Sequence, residues 1–232
     1  MARVALAAGA MLAVFACADG PPPDRANAGR EPDVPARQSL GAAVPTTTDS
    51  AGAAGGAWPM SAGDYANTRF SGLNDITADN VRTLKVAWTF STGVLRGQEA
   101  APIVVGRTMY LVTPFPNILH ALDLDNPGST RWSFDPRPLS AAQGVACCDV
   151  VNRGAAYADG RVFFNTLDNH TIAVDAGTGE ELWRVRLGDI NRGETMTMAP
   201  LVVKGTVLVG NSGGEFGVRG WLTALDAATG RV

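Results

Sequence analysis

Histidine and cysteine are scarce in this chain: His120 and His170 are its only histidines, and Cys17, Cys147 and Cys148 its only cysteines. No pair of cysteines has the Cys-x-x-Cys spacing, which argues against a zinc site. There is no basic surplus. Nineteen Lys and Arg face 22 Asp and Glu, for a net charge of -3, so nucleic acid is not an expected partner. Neither a phosphate loop nor a dinucleotide fingerprint occurs. Charged residues make up only 18% of the chain, while glycine (27) and proline (14) are plentiful. That balance suits a loop-rich all-β protein rather than a helical bundle.

Residues 1–17 read as an export signal. Arg3 supplies the positive start and Val4 to Ala16 a short apolar stretch. Thirteen such residues are too few to span a bilayer. The stretch ends Val14-Phe15-Ala16-Cys17, which resembles a bacterial lipobox with Cys17 as the lipidated residue. Ordinary cleavage is the alternative. Either route predicts a periplasmic protein, membrane-tethered where Cys17 carries lipid. Residues 18–57 hold scarcely any large apolar side chain, cannot offset their ordering entropy, and are expected to form a disordered tether. The folded part is predicted over 58–232.

From Trp58 on, the sequence repeats. Ala121-Leu122-Asp123, Ala173-Val174-Asp175 and Ala224-Leu225-Asp226 stand 52 and then 51 residues apart, and Trp88, Trp132 and Trp183 are spaced 44 and 51 apart. Each unit carries β-rich runs around a glycine: 103–112 around Gly106, 155–165 around Gly160, and 201–210 around Gly205. These are hairpin patterns. A period near fifty with several strands per unit predicts a propeller blade. In the Asp-x-x-Thr-Gly turns, the Asp can accept turn amides and the Gly supplies positive φ. The tryptophan four residues later is placed to cover the junction between blades. About three units are present, fewer than the roughly four to eight blades that close a propeller. The chain is therefore expected to be part of a longer protein.

Cys147 and Cys148 are neighbours in sequence. A disulfide between them would close almost no loop and would be strained, so it would add little stability; such a ring is better explained by what it touches. Two buried free thiols are the alternative. Pairing each hairpin about its turn sets Thr197 roughly opposite Ser212. Glu99, residues 147–153 and Thr197 each precede the first strand of successive units, so in a radial fold they surround one mouth of the channel. Taken singly, Glu99 reads equally as a solvated acid, Arg153 as a surface ion pair and Thr197 as a plain strand residue. Glu215 is one carboxylate where a hard cation takes six to eight oxygens.

The segments Gly97-Gln98-Glu99-Ala100-Ala101-Pro102, Ala146-Cys147-Cys148-Asp149-Val150-Val151-Asn152-Arg153-Gly154 and Ser212-Gly213-Gly214-Glu215-Phe216-Gly217-Val218-Arg219-Gly220 resemble the motifs of pyrroloquinoline quinone (PQQ)-dependent methanol/ethanol dehydrogenases. So do Trp58 to Ser71, read as a blade-starting segment, and the turn-plus-tryptophan repeats. The resemblance covers residues 58–232 and implies the N-terminal blades of an eight-bladed propeller with PQQ in its axial channel. It implies that Cys147 and Cys148 form a ring packed on the quinone. Glu99, Arg153, Thr197, Ser212, Gly213 and Gly214 would bind the cofactor, and Glu215 would ligate Ca²⁺ or a lanthanide. The implied reaction is oxidation of a small primary alcohol, with the metal as Lewis acid, hydride passing to the quinone, and a periplasmic cytochrome c as electron acceptor. The family's catalytic base is an aspartate of a later blade, so no catalytic residue is assigned here and this piece alone is expected to be inactive. A homodimer is a further expectation. The same repeat also builds non-catalytic lipoprotein scaffolds of outer-membrane assembly, and sugar-oxidising relatives, but neither needs adjacent cysteines.

Overall fold

The computed structural model describes residues 57–146 and 149–232. The export segment with Cys17, the tether up to residue 56, and Cys147 and Cys148 lie outside the described residues.

Three antiparallel sheets follow one another along the chain. Blade 1 contains β1 (Ile103–Val105), β2 (Thr108–Val112), β3 (Leu119–Asp123) and β4 (Thr130–Phe134). Blade 2 contains β5 (Ala155–Ala158), β6 (Arg161–Asn165), β7 (His170–Asp175) and β8 (Glu181–Arg186). Blade 3 contains β9 (Leu201–Val203), β10 (Thr206–Gly210) and β11 (Leu222–Asp226). In every blade, neighbours in sequence are neighbours in the sheet.

The hairpins form where the glycines predict them. Ala158 pairs with Arg161 and Val203 with Thr206. The two intervening residues are left-handed in both cases: Asp159 and Gly160 (φ 48° and 75°), Lys204 and Gly205 (φ 49° and 73°). Two consecutive positive φ values match the right-handed twist of the strands they join.

The core lies between sheets. Tyr110, Val112 and Leu119 of blade 1 meet Val162, Phe164 and Ile172 of blade 2. Phe163, Ala173 and Trp183 of blade 2 meet Val202, Val207 and Leu225 of blade 3. Phe163 and Phe164 are adjacent, so period-two alternation sends one to each side of the sheet; both are fully buried.

The Asp-x-x-Thr-Gly turns lock blade to blade. Asp175 Oδ1 accepts the amides of Gly177 and Thr178 at 2.9 and 2.8 Å, and Asp226 Oδ1 those of Ala228 and Thr229 at 3.1 and 2.8 Å. These bonds hold both carboxyls below their ordinary pKa, led by the Thr178 amide for Asp175 and by the Thr229 hydroxyl for Asp226. Onto each turn the preceding blade lays its tryptophan: Trp132 Nε1 donates to the Ala176 carbonyl and Trp183 Nε1 to that of Ala227, both at 3.1 Å. The turn glycines are obligatory twice over. Gly179 and Gly230 have φ 77° and 71°, and a Cβ there would lie 2.6 Å from the Trp132 ring and 2.8 Å from that of Trp183.

One repeat position stands outside any strand, and one sequence expectation needs revision. Residues 84–96 form no strand, although Trp88 holds the repeat position of Trp132 and Trp183. The residues of this run pair with none of the three sheets among the described residues. Their contact with blade 1 is through side chains, with Phe90 edge-on to His120 at 5.1 Å. Residues 58–71 do not start a blade. They cross all three: Trp58 bridges to Val104 of β1, Met60 to Ala156 of β5, and the Tyr65 hydroxyl donates to the Val202 carbonyl of β9.

Candidate cofactor site

The starts of the three blades are stitched together at one end of the sheets. Ala101 bridges Gly154 in parallel, and the Arg153 amide donates to the Thr197 carbonyl at 2.9 Å. Gly154 has φ 121°, and a Cβ there would sit 3.1 Å from the Ala101 carbonyl oxygen. This close approach is why glycine follows Arg153.

Side chains from the three starts then meet. Arg153 Nη1 donates to Thr197 Oγ1 at 2.7 Å, and Nη2 lies 3.5 Å from Glu99 Oε2. Thr197 Oγ1 is 3.0 Å from Ser212 Oγ. A carboxylate, a guanidinium and two hydroxyls thus form a continuous polar row across blades 1, 2 and 3. Beside it lies a cavity of about 220 Å³ lined by Ala146, Asp149, Val151, Arg153, Thr195, Thr197, Ser212 and Glu215.

The local register explains Thr197. Extending the β9–β10 pairing from Val203–Thr206 would set Thr197 opposite Ser212, but the bridge forms between Thr195 and Ser212. The intervening ladder is interrupted where the Gly210 amide donates to Met198 Sδ at 2.9 Å. A slip of two residues keeps every side chain on its original face, so Thr197 still reaches Ser212. On the other face Met196 is fully buried between blades. Thr195, which the sequence reading passed over, lines the cavity for the same reason; its two-residue spacing from Thr197 was the available signal.

The loop carrying residues 139–153 is held by buried polar groups of the β6–β7 turn. Asp168, whose side chain is 3% exposed, accepts the Leu139 amide at 2.9 Å, the Thr166 hydroxyl at 2.6 Å and His170 Nδ1 at 3.1 Å. Burial pushes its pKa up, but these bonds together outweigh it and bring the carboxyl to about 2. Leu167 packs with Ala142, Val145, Ala146 and Val150, on both sides of the cysteine pair, and its amide is accepted by Asn117 Oδ1 at 2.9 Å. Asn152 closes the loop, donating to the Asn165 carbonyl at 2.8 Å and accepting the Gly154 amide at 2.9 Å. Asp149 accepts the Val150 amide at 2.8 Å and also faces the cavity.

The remaining positions differ in kind. Glu99 reaches the row only through Arg153. Gly213 is buried, with φ 119°, against the Gly193 carbonyl oxygen, where a Cβ would collide. Gly214 is exposed, with open space around it. Neither glycine lines the cavity. His120 is bonded to Ser133 at 2.8 Å, and burial lowers its pKa, which keeps it neutral near pH 7. Among the described residues no three of His, Cys, Asp and Glu cluster to hold a metal.

Donors from a guanidinium and three hydroxyls suit a planar ligand bearing carboxylates and carbonyls, since the Arg fork binds a carboxylate through two bonds. Glu215 offers a hard cation one carboxylate, which is part of a coordination shell.

Residues 58–232 match the family model PQQ: glucose/ethanol/alcohol dehydrogenase, β-propeller domain. The lanthanide-dependent methanol dehydrogenase of Methylacidiphilum fumariolicum (strain SolV) is 56% identical over 176 residues, 75% of this chain and 29% of that protein. Methanol dehydrogenase (cytochrome c) subunit 1 of Paracoccus denitrificans is 48% identical over 181 residues, again 75% of this chain and 29% of that one. A solved europium-containing methanol dehydrogenase aligns with a TM-score of 0.74 at 55% identity, covering 75% of this chain and 31% of the other. The chain thus spans under a third of the length of the relatives it matches.

Proposed function

This chain belongs to the PQQ-dependent glucose/ethanol/alcohol dehydrogenase β-propeller family, and on that premise we propose that the whole protein oxidises small primary alcohols in the periplasm. Arg153, Thr197 and Ser212 hold the carboxylates and carbonyls of PQQ. Glu99 orients Arg153 from behind, and Glu215 gives a carboxylate to the metal. Cys147 and Cys148, joined as a disulfide, pack against the quinone. When bound, PQQ takes the hydride and the metal polarises its carbonyl. The chain's own part is to grip, orient and shield from water.

A lanthanide is the favoured metal, because the relatives at 55–56% identity are named for lanthanide dependence and for europium. Calcium is the alternative. Cytochrome c is the proposed acceptor, as in the name of the Paracoccus denitrificans relative. A non-catalytic scaffold gives no role to the polar row at the mouth.

The observation that carries this reading is the row Glu99–Arg153–Thr197–Ser212 beside the cavity that Glu215 lines. Its test is dye-linked oxidation of methanol, ethanol and 1-butanol by the full-length protein, with PQQ and either La³⁺ or Ca²⁺. Turnover that requires both PQQ and metal, and stops on chelation, is expected. No turnover with either metal, or turnover indifferent to PQQ, refutes the proposal.

A further inference from the structure

A second and larger concavity lies on the other side of the loop that carries Glu215. It has a volume of about 690 Å³, within the range of roughly 300–1,000 Å³ typical of small-molecule sites. One wall is the connection from β8 to β9, residues 187–194, and the other is residues 216–221.

The lining has spare positive charge and no spare negative charge. Arg192 and Arg219 both face this space, and neither guanidinium has a hydrogen-bond or ion-pair partner among the described residues. The two carboxylates of the lining are engaged. Asp189 Oδ1 accepts the amide and side-chain nitrogens of Asn191, both at 3.0 Å, and lies 3.3 Å from Arg186 Nη2. Glu194 Oε2 accepts the Asp189 amide at 2.7 Å and is itself buried. Phe216, 59% exposed, and Trp221 add aromatic surface.

The walls are held rather than loose. Gly193 and Gly213 approach each other closely, and a Cβ on Gly193 would lie 3.0 Å from Val218, which lines the cleft. Asn211 accepts the Trp221 amide at 2.8 Å and donates to the Arg219 carbonyl at 3.3 Å. The backbone of the wall that carries Arg219 and Trp221 is thus held before any ligand arrives, which lowers part of the ordering cost of binding.

We propose that this cleft binds a small organic carboxylate with an aromatic or apolar body, at a site separate from the cofactor cavity. The carboxylate would take charge-assisted bonds from Arg192 and Arg219, and the body would lie on Phe216 and Trp221. The assignment does not depend on the alcohol-oxidation reading.

The test is calorimetric titration of the full-length, cofactor-loaded protein, in which Arg153 is already engaged. The probes are benzoate, its neutral analogue benzamide, and inorganic phosphate. Benzoate should saturate, and the double variant Arg192→Gln/Arg219→Gln should weaken it by about ten-fold or more, the loss of one or two charge-assisted bonds. Benzamide and phosphate should not saturate over the same range, and the variant should keep wild-type melting and alcohol oxidation. The proposal is overturned if benzoate fails to saturate, if phosphate binds as tightly as benzoate, or if the double variant binds benzoate within about two-fold of wild type.

Discussion

Blades 2 and 3 are built from the same repeat, yet they are buried differently. Blade 2 lies between two others, and Phe163 and Phe164 are both fully buried, one against each neighbour. In blade 3 the equivalent of Val162 is Val207, buried against blade 2, while Leu208, at the place of Phe163, is only partly covered. Leu222, which pairs with Gly210 further along the same sheet, is 73% exposed. An alternating strand therefore states which residues face a neighbour, but burial comes only from a neighbour being there. The blades also diverge functionally. The turn after β6 holds Asp168, a structural brace, whereas the corresponding stretch after β10 opens into the Ser212–Gly220 loop that borders both concavities.

The largest expected effect separates the two faces directly. Phe163→Ala should cost about 3–5 kcal/mol, and Leu208→Ala only about 1 kcal/mol, in denaturant unfolding of this chain. Equal costs would show that the far face of blade 3 is covered in the protein measured. Next come the turn glycines. Gly179→Ala adds a clash with Trp132 to left-handed strain and should cost about 3 kcal/mol, while Gly205→Ala, with nothing within 4 Å of its Cβ, should cost about 1 kcal/mol. Similar losses at both sites would remove the tryptophan dock as a cause.

The brace in blade 2 predicts a pH dependence. The Asp168 carboxyl falls from its ordinary 3.8 to about 2 on folding. A depressed folded pKa means a contribution fully present above the unfolded pKa. That contribution, about 2 kcal/mol, should be lost as pH falls from 3.8 towards 2. Unfolding curves between those limits should show this acid slope in the wild type and a flatter one in Asp168→Asn. An identical slope in the variant would dismiss the brace. The smallest effect is expected for Glu99→Gln, whose ion pair with Arg153 joins two half-exposed groups; stability should change by less than about 1 kcal/mol, as read by thermal melting.

Much of this was legible in the chain itself because it is periodic or local. The glycine hairpins, the Asp-x-x-Thr-Gly turns and the tryptophan docks each depend on residues a few positions apart, repeated in register. The meeting of Glu99, Arg153, Thr197 and Ser212 followed from their common place before, or opposite, a first strand. What stayed hidden depends on single long-range bonds. Asp168 reaches Leu139 and Asn117 reaches Leu167 across 29 and 50 residues, with no pattern to announce them. The crossing of three blades by residues 58–71 rests on isolated bridges, which carry no period. The pairing slip at Met198 could not be foreseen from strand alternation, although alternation preserved its consequence.

The claim that the three blade starts form a PQQ pocket is tested most directly by the PQQ content of the full-length protein purified with cofactor supplied. Wild type should retain about one PQQ per chain, and Arg153→Leu/Thr197→Val should lose at least about ten-fold in affinity while melting normally, since two of the donors are gone. Full retention of PQQ by that variant would contradict the account.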